Sequence, residues 1–220
     1  MASNKIDEKG MKNMLVEVRR SYRFLYLFQQ RVLDLVKFIG LHYQFTYHGG
    51  WSHYSSTIRK GKGSKLENWA WDWLPMYHYD FVFSTKIKLN EEDSETLVFS
   101  ALLQCDSAYY DLNKPSQEQK KMIETFNPPE SSKTFLHLIL RENRRKVQDY
   151  KNTQVKSDSE EDFYDHSEAG LIIGRKIPLE KLINEEKTRA HLSDFAKYIF
   201  EKTNIVLKEL PSESDNTESI

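Results

Sequence analysis

The hydrophobic positions fall into two periods, and these set the expected elements. Between Asp7 and Ile39, Val18, Tyr22, Leu25, Val32, Val36 and Ile39 recur at spacings that return to one helical face. Leu15, Phe24, Phe28, Leu35 and Phe38 widen that face, while Arg19, Arg20, Arg23, Gln30, Arg31, Asp34 and Lys37 keep a second strip polar. The spacing predicts one long helix, with Gly40 as its C-terminal stop. Residues 11–39 would span about 43 Å at 1.5 Å per residue, more than a small domain needs. Its surplus apolar surface is expected to meet a protein partner or a second copy of the chain.

The period then changes to two. Tyr77, Tyr79, Phe81, Phe83, Thr85, Ile87 and Leu89 alternate with His78, Asp80, Val82, Ser84, Lys86 and Lys88, predicting a strand with one core face and one wet face. Leu97, Phe99, Ala101, Leu103 and Cys105 supply the core face of a second strand, and the simplest pairing is an antiparallel hairpin across NEEDSE. Gln44–Tyr47 reads as a short strand. Thr134–Arg141 reads as a central strand apolar on both faces, and Leu171–Ile177 as another. Residues 116–126 are expected as a short helix ended by Asn127-Pro128-Pro129. Pro178 suits a first helical turn. The last helix is placed at about Asn184–Thr203, with Leu192, Phe195, Ala196 and Ile199 inward. Lys156–Ser167 reads as an exposed acidic loop.

The sum is an α+β fold: an antiparallel sheet of about four to five strands, with the long N-terminal helix and the C-terminal helices packed on one face. One domain over 1–207 and a disordered acidic tail over 208–220 are expected.

Composition removes several classes. With 220 residues the chain can bury a core unaided. Its single cysteine, Cys105, excludes an intrachain disulfide and the multi-cysteine zinc signatures. The start, MASNKIDEKGMKNM, reads without an apolar leader. No window has about 20 mostly apolar residues, so no membrane span is expected. A soluble cytoplasmic protein is the resulting expectation. Net charge is -1, yet residues 1–65 hold 12 Lys/Arg against 4 Asp/Glu, and residues 157–168 are acidic.

Two constellations carry chemistry. Trp51, Tyr54, Trp69 and Trp71 flank Arg59, Lys60, Lys62 and Lys65, in a glycine- and serine-rich stretch read as a long loop over 48–73. Aromatic planes stack bases at about 1–3 kcal/mol each while basic side chains meet phosphates, so this pattern suits a nucleotide or nucleic acid. The second arises from hairpin register. Pairing Phe83 with Leu103 and Phe81 with Cys105 sets Asp80 opposite Asp106, with His78 nearby. Two facing carboxylates would need a cation between them, Mg²⁺ or Mn²⁺, as in a metal-dependent phosphoesterase or nuclease. His48 and His53 match no zinc spacing, and His137 reads as a hydrogen-bonded core histidine. Standard nucleophile, phosphate-loop and kinase motifs are absent.

The leading expectation is therefore a non-catalytic binding or adaptor protein without a cofactor. It would associate through the long helix and hold an anionic ligand on the aromatic-basic stretch. The metal-dependent phosphoesterase is the alternative.

Overall fold

The computed structural model describes residues 7–53, 73–88, 94–110, 123–142, 150 and 162–210. The chain divides into two compact units, Met1–Phe38 and Ile39–Ile220. The described part of the first unit is helical. Helix α1 runs Glu8–His42, its last turn belonging to the second unit. Asp7 opens it, its carboxylate accepting from Gly10 N at 2.7 Å. The Lys12–Glu8 and Arg20–Glu17 pairs, at 2.6 and 2.7 Å, support its exposed first turns.

The helix does not stop at Gly40. Gln44 takes the left-handed conformation, φ 56°, and Phe45 N donates to Gly40 O at 2.9 Å while Gln44 N donates to Leu41 O at 3.0 Å. That is a Schellman closure with a non-glycine residue at its left-handed position. Gly40 serves packing instead: a Cβ there would stand 2.5 Å from Cε1 of Phe83.

The second unit is an antiparallel sheet of six strands, so the fold is α+β with more strands than the pattern alone suggested. The strands are β1 (Thr46–Ser52), β2 (His78–Lys88), β3 (Ser94–Gln104), β4 (Phe135–Glu142), β5 (Asp162–Ser167) and β6 (Gly170–Pro178). Their spatial order is β1-β2-β3-β4-β6-β5. Helix α2 (Glu185–Thr203) follows. Asn184 caps it by accepting from Lys187 N at 2.9 Å, and Asn204, φ 59°, closes it.

One sheet face is a conventional apolar core. Phe81, Phe83, Phe99, Ala101, Leu103, Leu138 and Leu140 lie on it, all buried. The last turn of α1 and helix α2 cover this face. Tyr43 packs against Phe99, and its hydroxyl donates to Leu192 O at 2.6 Å. Arg175 lies over the Phe195 ring and binds Asp162 through two bonds of 2.6 and 2.8 Å. Desolvation pushes the Tyr43 hydroxyl well above its ordinary pKa.

Two local expectations change. The acidic stretch ending at Ser167 contains a strand, because residues 162–167 find a ladder on β6 and turn into it through Gly170, φ 105°. Such charged, short edge strands resist further pairing. Pro178 closes β6 and leads only a single 3₁₀ turn, Leu179–Lys181. Of the short helix expected at 116–126, residues 116–122 lie outside the described residues, and Ile123–Thr125 forms a 3₁₀ turn. Among the described residues no helix is long and apolar enough to cross a membrane.

Candidate functional site

The sheet's second face was expected to be wet, and it is not. His78, Asp80, Ser100, Gln104, His137 and Lys176 all project from it, and all are buried. Register explains the clustering. Direct partners in an antiparallel pair share a face, so Trp51, Asp80, Leu102, His137 and Lys176 form one row across β1, β2, β3, β4 and β6. The adjacent row begins at His53, whose N–H donates to His78 O at 3.0 Å, and continues through His78 and Gln104 to Phe135.

The middle of this face is a satisfied polar chain. His137 Nε2 lies 3.0 Å from Gln104 Oε1, and His137 Nδ1 lies 3.1 Å from the Tyr150 hydroxyl. An amide oxygen can only accept, so Nε2 carries the proton and Nδ1 accepts from Tyr150. Tyr150 stands edge-on to His137 and Phe163 and joins the apolar cluster of Leu102, Ile139 and Ile172. Gly174 makes room for it, since a Cβ at that position would overlap the Tyr150 ring. Lys176 extends this row with its ammonium 4.0 Å from the Phe135 ring centroid, a cation–π contact.

The β1–β2 end is different. Asp80 is 0 % exposed, and neither of its oxygens has a hydrogen-bond donor among the described residues. His53 Nε2 stands 3.7 Å from Asp80 Oδ2, within ion-pairing range but too long for a hydrogen bond. The His53 and His78 rings lie 5.2 Å apart. His53 is 12 % exposed at its side chain, making it the opening of this cluster toward solvent. Trp51, 47 % exposed, sits edge-on to His53 with ring centroids 6.3 Å apart. Gly50 lets β1 approach here, because a Cβ on it would overlap the Asp80 carbonyl oxygen.

The facing carboxylates anticipated from the hairpin are not formed. Asp80 pairs with Leu102, not Asp106, because β3 slides by four residues relative to the expected register. Matching apolar faces fixes register only to an even number of residues. The observed alignment runs from His78 with Gln104 to Lys88 with Ser94, joining eleven residues on each strand. Asp106 instead lies beyond β3, where its carboxylate accepts from Ala108 N at 2.8 Å and starts the turn Ser107–Tyr110. Among the described residues, no three His, Cys, Asp or Glu side chains converge to hold a metal ion.

Of the aromatic-basic stretch, Trp51 lies on the cluster's edge, whereas Tyr54, Arg59, Lys60, Lys62, Lys65, Trp69 and Trp71 lie outside the described residues. Both ends of that stretch are placed. It leaves after His53 and returns through the turn Pro75–Tyr77 into His78, so its two roots are the two histidines beside Asp80. The sequence sets His53 only beside His48, as a metal-ligand candidate, and misses its place beside His78 and Asp80, because the β1–β2 ladder is what brings it there.

Comparison with known proteins adds one finding. The family model described as PM0109 matches residues 8–204, nearly the whole chain, and the chain belongs to that family. No curated protein and no solved structure matches it.

Proposed function

We propose that this member of the PM0109 family is a binding protein for a ligand combining a donor-bearing aromatic ring with an anionic group, a nucleotide or a nucleic acid. One observation carries the reading: Asp80 is a completely buried carboxylate with no hydrogen-bond donor among the described residues. A buried charge is costly unless donors meet it. A base edge with N–H groups supplies such donors, and a bidentate contact of that kind is worth about 1–3 kcal/mol of discrimination. Trp51, exposed on the same row, offers a stacking plane. The connection rooted at His53 and His78 carries Arg59, Lys60, Lys62 and Lys65 in sequence, the charges a phosphate requires.

The test is titration of the full chain with guanine, adenine and cytosine nucleotides and short single-stranded oligonucleotides, followed by tryptophan fluorescence and calorimetry. Saturable binding is expected, weakened about 5- to 100-fold by Asp80→Asn or Trp51→Ala. Replacing Arg59, Lys60 and Lys62 with Ala should flatten the salt dependence. Absence of binding at millimolar ligand, or binding indifferent to Asp80→Asn, would refute the proposal.

A second reading rests on the 3.7 Å approach of His53 to Asp80, a spacing compatible with a general acid–base pair. Turnover of a bound nucleotide, lost in His53→Gln while binding persists, would favour that enzyme over a pure binder.

A further inference from the structure

Helix α1 carries a second regularity within its broad apolar face. Met11, Leu15, Val18, Tyr22, Leu25 and Gln29 follow each other at alternating steps of four and three residues. An average step of 3.5 is the repeat of a helix that packs along another helix. The N-terminal part of this seam is open: Met11, Leu15 and Val18 are 41–44 % exposed, and Tyr22 is 70 % exposed. Met14 and Tyr26 flank the seam and are exposed too, so the apolar strip is wider than a single file. A shallow groove lined by Tyr22, Arg23, Tyr26 and Leu27 runs beside it.

The geometry points to a second copy of this chain as the occupant, its α1 lying antiparallel against the first with Val18 of each copy meeting Tyr22 of the other. Three observations select it. The 3.5-residue repeat fits a helical partner with the same repeat, and α1 itself supplies one. The antiparallel register centred near residue 20 pairs Val18 with Tyr22 twice and Leu15 with Leu25 twice, so the large Tyr22 meets the smaller Val18 and not its own copy. It also moves Gln29, the seam's polar member, to the outer layers beside Met11, whereas a parallel pair would bury Gln29 against its copy. The area is sufficient. Large side chains expose roughly 70–130 Å² each at these fractions, so the seam and its flanks remove on the order of 1,000–1,400 Å² from water in the pair. That lies near the lower edge of specific interfaces and above casual contacts, the size class of weak, reversible dimers.

The experiment is light scattering and sedimentation of the full chain from about 1 to 200 µM, the range in which weak, reversible dimers dissociate. A concentration-dependent dimer is expected. Val18→Glu, at an exposed position, should make the chain monomeric while its circular dichroism spectrum stays unchanged, and its melting temperature should match that of the parent at concentrations below the dissociation constant. Phe24→Glu, at a residue 75 % exposed but off the seam, should leave the dimer intact. In a Cys105→Ser background, a mixture of Val18→Cys and Tyr22→Cys chains should oxidise to the mixed disulfide. A chain monomeric at every concentration would overturn the proposal. So would dissociation by Phe24→Glu equal to that by Val18→Glu, or Val18→Cys joining chiefly to itself.

Discussion

Gly174→Ala adds one methyl group to the polar face of the sheet, and two effects of opposite sign decide its outcome. In an ordinary strand the change stabilises by about 0.5–1 kcal/mol, because glycine loses more freedom on folding. At this site the new Cβ overlaps Cε2 of Tyr150. That ring is fully buried and confined, with His137 and Phe163 edge-on at 5.7 and 5.6 Å. Overpacking in a closed core costs about 1–3 kcal/mol. A displaced ring also draws its hydroxyl away from His137 Nδ1, now 3.1 Å distant, for a further loss of about 1 kcal/mol. The overpacking side wins by about 1–3 kcal/mol, a fall in Tm of roughly 3–10 °C for a chain of this size. Thermal melts followed by circular dichroism read this directly. Tyr150→Phe removes the hydroxyl alone and should cost about 1 kcal/mol. Once Gly174→Ala has broken the same bond, adding Tyr150→Phe should cost little more, a coupling of about 0.5–1 kcal/mol in the double-mutant cycle. A Gly174→Ala protein that melts above the parent would refute the placement of Tyr150 against β6.

Two further outcomes follow from titratable groups. Burial holds the His42 imidazole below its ordinary 6.5, outweighing the raising effect of its 3.0 Å bond to Glu209. As pH falls below 6.5 the unfolded chain takes up this proton first. The contribution of neutral His42 is therefore full above that value and lost as pH falls through the lower folded value. Denaturant melts between pH 8 and 5 should show a steeper acid-side loss in the parent than in His42→Asn, and parallel curves would count against it. Desolvation pushes the Cys105 thiol up to about 12, with its S–H donating to Met76 O at 3.3 Å. At pH 8 a disulfide reagent should label it slowly in the native protein and rapidly in urea, whereas fast native labelling would contradict the burial.

How much was legible in the sequence depends on which interaction set each element. Strict alternation from Tyr77 onward placed β2 to within a residue, because its apolar positions mark the face that meets the helices, but it did not show that the polar face is buried too. Residues 162–167 gave no such signal. Asp162, Asp165, His166 and Ser167 have weak strand preference, and their ladder to β6 is what makes them a strand. Gly40 looked like a helix stop, yet the closure falls at Gln44, and tertiary contact with Phe83 is what requires the glycine. The site was half legible. Asp80 and His78 were singled out on the correct strand and face. Their partner was misassigned to Asp106, because face matching cannot distinguish registers that differ by four residues. The true neighbour, His53, comes from β1, whose bulge between Tyr47 and Gly49 no spacing rule anticipates.

The burial of both sheet faces bears on what Asp80 is for. An antiparallel sheet covered by helices on one side can leave the other to water, where Asp80 and His78 would need no explanation. Here the second face is closed over polar side chains, and among the described residues Asp80 has only the 3.7 Å approach of His53 to offset its desolvation. A buried carboxylate that lacks donors costs its desolvation, so an isosteric neutral amide relieves a penalty of about 1–3 kcal/mol. If Asp80 serves a ligand, stability and binding should therefore separate in Asp80→Asn. Its Tm should rise by about 2–6 °C, corresponding to about 1–2 kcal/mol, while nucleotide affinity falls. If Asp80 instead anchors the β1–β2 end through His53, the same substitution should lower Tm, and His53→Gln should lower it comparably. Melting both variants with and without ligand distinguishes the two cases. A large fall in Tm for Asp80→Asn would make the carboxylate a structural group and remove the observation on which the nucleotide site rests.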